Sequence, residues 1–152
     1  MNYLIIGYGN TLRSDDGVGY KVAEKVEQWG IAGVRALPIH QLTPELAEDI
    51  ANANTVIFVD AVLVTDEMPP KVTIQSIKPA QVYDDFCHTG NPRSLLALTQ
   101  VLYGKFPKAY WLLIPALNVE FGEQLSPLTA TAAESALETI EQIVMEGVGS
   151  RE

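Results

Sequence analysis

A three-layer α/β domain, with a mostly parallel central sheet and helices on both faces, is the fold this sequence predicts. Three observations carry the prediction. Short apolar runs of strand length alternate along the chain with longer stretches whose apolar residues recur at helical spacing. One run, Thr55-Val56-Ile57-Phe58-Val59, is β-branched and apolar throughout, as a strand buried on both faces must be. A glycine-rich turn, Gly7 to Gly19, joins the first apolar run to the first amphipathic stretch. Such a turn at the carboxyl end of a parallel strand is a common place for a ligand.

The elements follow in order. Tyr3-Leu4-Ile5-Ile6 reads as a buried strand, and Val18, Val22, Val26 and Trp29 mark the inner face of the helix after the turn. Gly33 to Leu37 is a second strand. Thr43 as a cap with Pro44 at the first helical position predicts a helix to about Asn52. The buried strand Thr55–Val59 then ends in Asp60. Lys71 to Ile77 alternates and reads as an edge strand, antiparallel because the connection from Ala61 to Pro70 is short and carries Pro69 and Pro70. Tyr83 to Asn91 is irregular. A helix from Pro92 to Tyr103, a strand from Ala109 to Ile114 and a last helix from Leu128 to Met145 complete the chain. With 152 residues and a hydrophobic fraction of 47%, this is one domain over residues 1–146, with 147–152 expected to fray.

Composition narrows the partners. A net charge of −9 without a basic block argues against nucleic acid and anionic membranes. The absence of a long apolar run and of a basic, apolar leader leads us to expect no membrane span and a cytoplasmic location. The single cysteine, Cys87, fits a reducing compartment. Nucleophilic catalysis has little support, because there is no Gly-x-Ser-x-Gly elbow and Cys87 and His88 are adjacent rather than convergent. The usual zinc signatures are absent.

The turn itself fits neither a dinucleotide fingerprint, since Leu12 stands where the third glycine belongs, nor a phosphate-cradling loop, which would end in Gly-Lys-Ser/Thr. What distinguishes it is the pair Asp15-Asp16 at the helix start. One of them, Asp15, is expected to cap the helix. Asp16 is then free for chemistry. Asp60 follows a buried strand and needs a partner or a metal there. In a parallel sheet both acids should open into one crevice. The only histidines are His40 and His88, both in loops after strands. His88 with Asp16 and Asp60 would make an oxygen, oxygen, nitrogen set suited to a divalent transition metal with open positions.

The pattern Gly7-x-Gly9-Asn10-x-Leu12-x-x-Asp15-Asp16-Gly17-x-Gly19 resembles the opening motif of the [NiFe]-hydrogenase maturation endopeptidases. Val59-Asp60-Ala61 resembles that family's second signature, and Pro115, Gly122 and Leu125-Ser126-Pro127 resemble its C-terminal part, so the likeness spans nearly the whole chain. The resemblance implies a three-layer α/β fold and a cytoplasmic, metal-dependent processing protease, aspartic-type by family convention. It would remove the C-terminal extension from the nickel-loaded large subunit of a [NiFe] hydrogenase. It implies metal ligands at Asp16, Asp60 and His88, with the nickel carried by the substrate and another divalent metal able to occupy the site in isolation. The same three residues are the catalytic candidates; Gly9, Asn10, His40 and Gln41 are the candidates for substrate contact. Many relatives have glutamate at the position of Asp16. Many also have an Asp-Gly-Gly turn where this chain has Pro38-Ile39-His40-Gln41, which keeps a non-proteolytic metal or substrate chaperone as the alternative reading.

Overall fold

The computed structural model describes residues 2–67, 69–81 and 91–149. A five-stranded sheet has the order β2-β1-β3-β5-β4, with β1 Tyr3–Tyr8, β2 Val34–Ile39, β3 Thr55–Leu63, β4 Thr73–Ile77 and β5 Lys108–Ala116. All pairings are parallel except β4 on β5. Four helices cover it: α1 Val18–Gln28, α2 Leu46–Ala51, α3 Pro92–Tyr103 and α4 Pro127–Gly149. The alternation of side chains along each strand divides the core in two. Ile5, Ile57, Val59, Leu112 and Ile114 face α1 and α4. Leu4, Ile6, Tyr8, Val56 and Phe58 face α2 and α3. The expected three layers are present.

Several boundaries differ from the expected ones, each for a tertiary reason. β2 runs on through Pro38 to Ile39, which the sheet tolerates because β2 is an edge strand. β3 does not stop at Asp60. Its pairing with β5 continues to Leu63 opposite Ala116, whereas its pairing with β1 ends at Val59 opposite Gly7. Pro115 lies within β5 but beyond the reach of β4, whose register ends at Thr73 opposite Leu113. Thr43 and Pro44 initiate turns rather than the helix proper: their carbonyls accept from Leu46 N and Ala47 N at 3.1 Å, and regular helix begins at Leu46. α4 runs from Pro127 to Gly149, past the expected end at Met145.

α3 has the expected bounds. The Asn91 side chain caps it by accepting from Arg93 N, and Gly104 ends it in the left-handed region at φ 72°.

The glycines of the first turn bring α1 onto the sheet. A Cβ at Gly19 would lie 2.6 Å from the Tyr8 carbonyl oxygen and closer still to that of Val59, and one at Gly7 would meet Gly19. The first turn of α1 therefore rests on bare backbone of β1 and β3. Gly19→Ala must push these apart, and an overpacking loss of about 1–3 kcal/mol is expected. Urea unfolding should show a lower midpoint with an unchanged slope.

Candidate active site

Strand order places the crevice. β1 is flanked by β2 on one side and β3 on the other, so the connections leaving the carboxyl ends of β1, toward β2, and of β3, toward β4, diverge and a gap opens between them. Beyond the end of β1 the overhanging part of β3 forms one wall. A crevice of about 430 Å³ there is lined by Arg13, Asp16, Ala61, Val62, Leu63, Ala116 and Val119.

Asp16 sits in a short 3-10 turn, Ser14–Gly17, immediately before α1. Its Oδ2 accepts from Asn10 N at 2.9 Å, and the Asn10 side chain accepts from Leu12 N at 2.9 Å. Asn10 thus shapes the turn and fixes the Asp16 carboxylate. Gly9 has φ 149°, and a Cβ there would strike the Asp16 carbonyl oxygen. Both residues have clear work in building the turn.

Asp60 lies on the same face of β3 as Phe58, two residues along. That places it beside Tyr8, which ends β1 on the same side. The Tyr8 hydroxyl donates to Asp60 Oδ2 at 2.9 Å. Burial pushes the Asp60 carboxyl up to about 6; the Tyr8 hydroxyl and the Ala61 N–H oppose this, and the negative charge of Asp16 adds to it. The mutual repulsion of two carboxylates in one site is therefore present, but desolvation is the larger cause. Tyr8 is itself raised, first by burial and then by the Asp60 charge, so it stays a proton donor. The buried Trp111 indole N–H lies near both groups and lowers them as a donor would, although it closes no well-formed hydrogen bond among the described residues.

Asp15 is not a helix cap. It is fully buried, and its carboxylate accepts from Leu117 N, Asn118 N and Ser126 N at 2.7–2.9 Å and from the Ser126 hydroxyl at 2.7 Å. Burial alone would raise this carboxyl, but the Asn118, Ser126 and Leu117 N–H groups and the Ser126 hydroxyl outweigh it and hold its pKa below the usual range. Around it Ser14 N donates to Gly122 O, Gly122 N to Leu12 O, and the Ser14 hydroxyl to Glu120 O. The loop between β5 and α4 is in this way sewn to the glycine turn. The loops beside the crevice also expose apolar side chains: Leu12, Leu63, Leu117 and Phe121, the last 85% exposed.

His40 and Gln41 reach the same end of the sheet, since Gly9 N donates to Ile39 O at 3.2 Å. They do not line the carboxylate crevice. They open into a neighbouring groove with Tyr20, Pro38, Thr43 and Glu45, where His40 stacks on Tyr20 at 5.2 Å between ring centroids. β2 lies on the far side of β1 from β3, which separates the two grooves. His88 and Cys87 lie outside the described residues. Among the described residues no group of three or more His, Cys, Asp or Glu side chains could hold a metal. Asp16 and Asp60 stand at the same sheet edge, near enough for the charge of Asp16 to raise Asp60, and each offers hard oxygen donors, but Asp60 is not among the residues that line the crevice with Asp16. Sequence reading overlooked Tyr8. Strand alternation, Leu4-Ile6-Tyr8 against Phe58 and Asp60, is the signal that finds it.

No family model matches the chain. The chain is 31% identical over 150 residues to the hydrogenase 2 maturation protease of Escherichia coli K12, covering 92% of this chain and 88% of that protein. In fold it is similar to the hydrogenase maturating endopeptidase HybD from E. coli, with a TM-score of 0.78, 24% identity, and 97% and 94% of the two chains covered. It is also similar to the [NiFe] hydrogenase maturation protease HybD from Thermococcus kodakarensis, with a TM-score of 0.74, 22% identity, and 94% and 99% covered.

Two predictions concern the site's carboxylates. Asp15→Ala leaves three backbone donors without their acceptor and should cost roughly 3–5 kcal/mol in chemical denaturation. Because the folded-state pKa of Asp15 is depressed, its stabilisation is present above the unfolded carboxylate value and is lost as pH falls through the folded one. Asp60 has the opposite sign. Its raised pKa means that the native state binds the extra proton between about pH 4 and pH 6, so stability falls as pH rises through that window. Asp60→Asn is expected to stabilise the fold above about pH 7 by on the order of 2–3 kcal/mol, and to change little below about pH 4. Thermal melts across that range check it.

Proposed function

Because the chain belongs to the hydrogenase maturation proteases, a family of endopeptidases, we propose that it removes the C-terminal extension of the large subunit of a [NiFe] hydrogenase, reading the nickel already seated in that substrate through Asp16 and Asp60. The observation that supports this reading is the nearness of those two carboxylates at one sheet edge, one in the turn after β1 and one on β3, where the charge of Asp16 raises Asp60. A half-buried acid pair of this kind is costly to keep without a cation and suits a divalent ion. On the family resemblance His88 is the third ligand. The remaining ligands come from the substrate, so the metal belongs to the complex and the isolated protein binds it weakly.

The chemistry is peptide hydrolysis. Water adds to the scissile carbonyl, the C–N bond breaks, and a proton passes to the leaving amine. Asp16 and Asp60 would hold the substrate's nickel, which would supply the Lewis acid that polarises the carbonyl or the water. The apolar side chains on the loops beside the crevice suit a protein substrate rather than a small molecule. His40 and Gln41, in the adjoining groove, contact substrate further from the scissile bond. The chain's acidity and the absence, among the described residues, of a helix able to cross a membrane fit a protein partner met in the cytoplasm.

Asp16→Asn and Asp60→Asn remove a charged ligand and keep the side-chain shape. Each is expected to lower cleavage of nickel-loaded large subunit by at least about a hundredfold, with the fold retained. Wild-type protein should leave nickel-free large subunit uncut. Equal cleavage of both forms, or full activity in either variant, would refute nickel reading through these residues.

A further inference from the structure

We propose that Tyr8 is a positioning residue for the metal-reading site: its hydroxyl fixes the Asp60 carboxylate in the orientation that meets the nickel. The inference rests on the reading of Asp60 as a ligand to the substrate's metal. It adds a residue that neither the motif spacing nor the relatives' names single out.

The geometry is specific. Tyr8 is the last residue of β1 and is 7% exposed, so its ring is held by the core beneath it. Gly7 pairs with Val59, which sets Tyr8 beside Asp60 across the β1–β3 interface. Asp60 is the first residue of β3 beyond that pairing, and no neighbouring strand supports it on the β1 side among the described residues. A carboxylate at such a point can rotate about its side-chain torsions. The 2.9 Å bond from the Tyr8 hydroxyl to Oδ2 restricts that freedom, beside the Ala61 N–H and the Trp111 indole. The partner acid is held in a comparable way, since Asp16 Oδ2 accepts from the Asn10 backbone at 2.9 Å. Each carboxylate thus has one oxygen tied to the fold.

Outer partners of this kind orient a metal ligand, and their loss typically lowers metal affinity by about 10–100-fold. A phenylalanine at this position fills the same core space but has no donor, so the buried carboxylate loses both its orientation and a hydrogen bond to its charged form.

The test is Tyr8→Phe in the full chain. Zinc ion serves as the probe for the isolated protein, titrated calorimetrically into wild type and variant, alongside kcat/KM on nickel-loaded large subunit. We expect zinc affinity to fall by about tenfold or more and kcat/KM to fall in parallel, with the fold retained. Unchanged zinc affinity together with unchanged kcat/KM overturns the proposal. So does a lowered melting temperature with unchanged zinc affinity, which would make the hydroxyl merely structural. If wild type fails to cut nickel-loaded large subunit, the functional reading fails, while the zinc comparison still decides the role of Tyr8.

Discussion

The buried carboxylate of Asp15 is the interaction on which the geometry of this molecule turns. It accepts from three backbone N–H groups and one hydroxyl, all on the segment between β5 and α4. A charge with no exposure to solvent is tolerable only when such donors surround it. In exchange it fixes that segment against the glycine turn, supported by the Ser14 bonds to Glu120 and Gly122. One wall of the crevice, Val119 and Ala116, belongs to this stretch, and the opposite one, Arg13 and Asp16, to the turn. Without the Asp15 carboxylate the two walls lose four of the bonds that join them and keep those of Leu12 and Ser14 to Glu120 and Gly122.

Two adjacent aspartates consequently do opposite work. Asp15 is surrounded by donors, stays ionised and is spent on structure. Asp16, one residue on, is half-buried and turns toward the crevice and Asp60. Asp60 receives fewer donors than its burial requires and is held near the point of protonation. Carboxylates with such different surroundings can serve one as scaffold and another as a group that exchanges a proton or takes up a cation. The glycines between them permit this crowding: at Gly17 a Cβ would press on the Thr11 backbone at 2.7 Å.

How much of this was legible in the sequence depends on how local each feature is. The layers, the antiparallel edge strand β4 and the bounds of α3 follow from periodicity and caps, which neighbouring residues decide. The placement of Asp16 and Asp60 at one sheet edge was also legible, because both follow apolar strands and parallel strands end on one edge. The length of β3 was not, since its last residues are held by β5 and not by their own pattern. Nor was the role of Asp15: a side chain preceding a helix looks like a cap, and its partners lie 102 to 111 residues away. The separate groove that His40 and Gln41 line was not legible, because the stacking of His40 on Tyr20 is a tertiary contact. His88 falls outside the described residues and keeps only its resemblance.

The seam between Arg13 and Gly122, an isolated parallel bridge flanked by the Ser14 and Asp15 bonds, has a consequence for how the protein is made. The glycine turn is translated before the donors that stabilise it, which follow 102 to 111 residues later. Until then the Asp15 carboxylate lacks these partners. Closure of the crevice is therefore tied to synthesis of the segment after β5 rather than to the appearance of the motif that carries the acids.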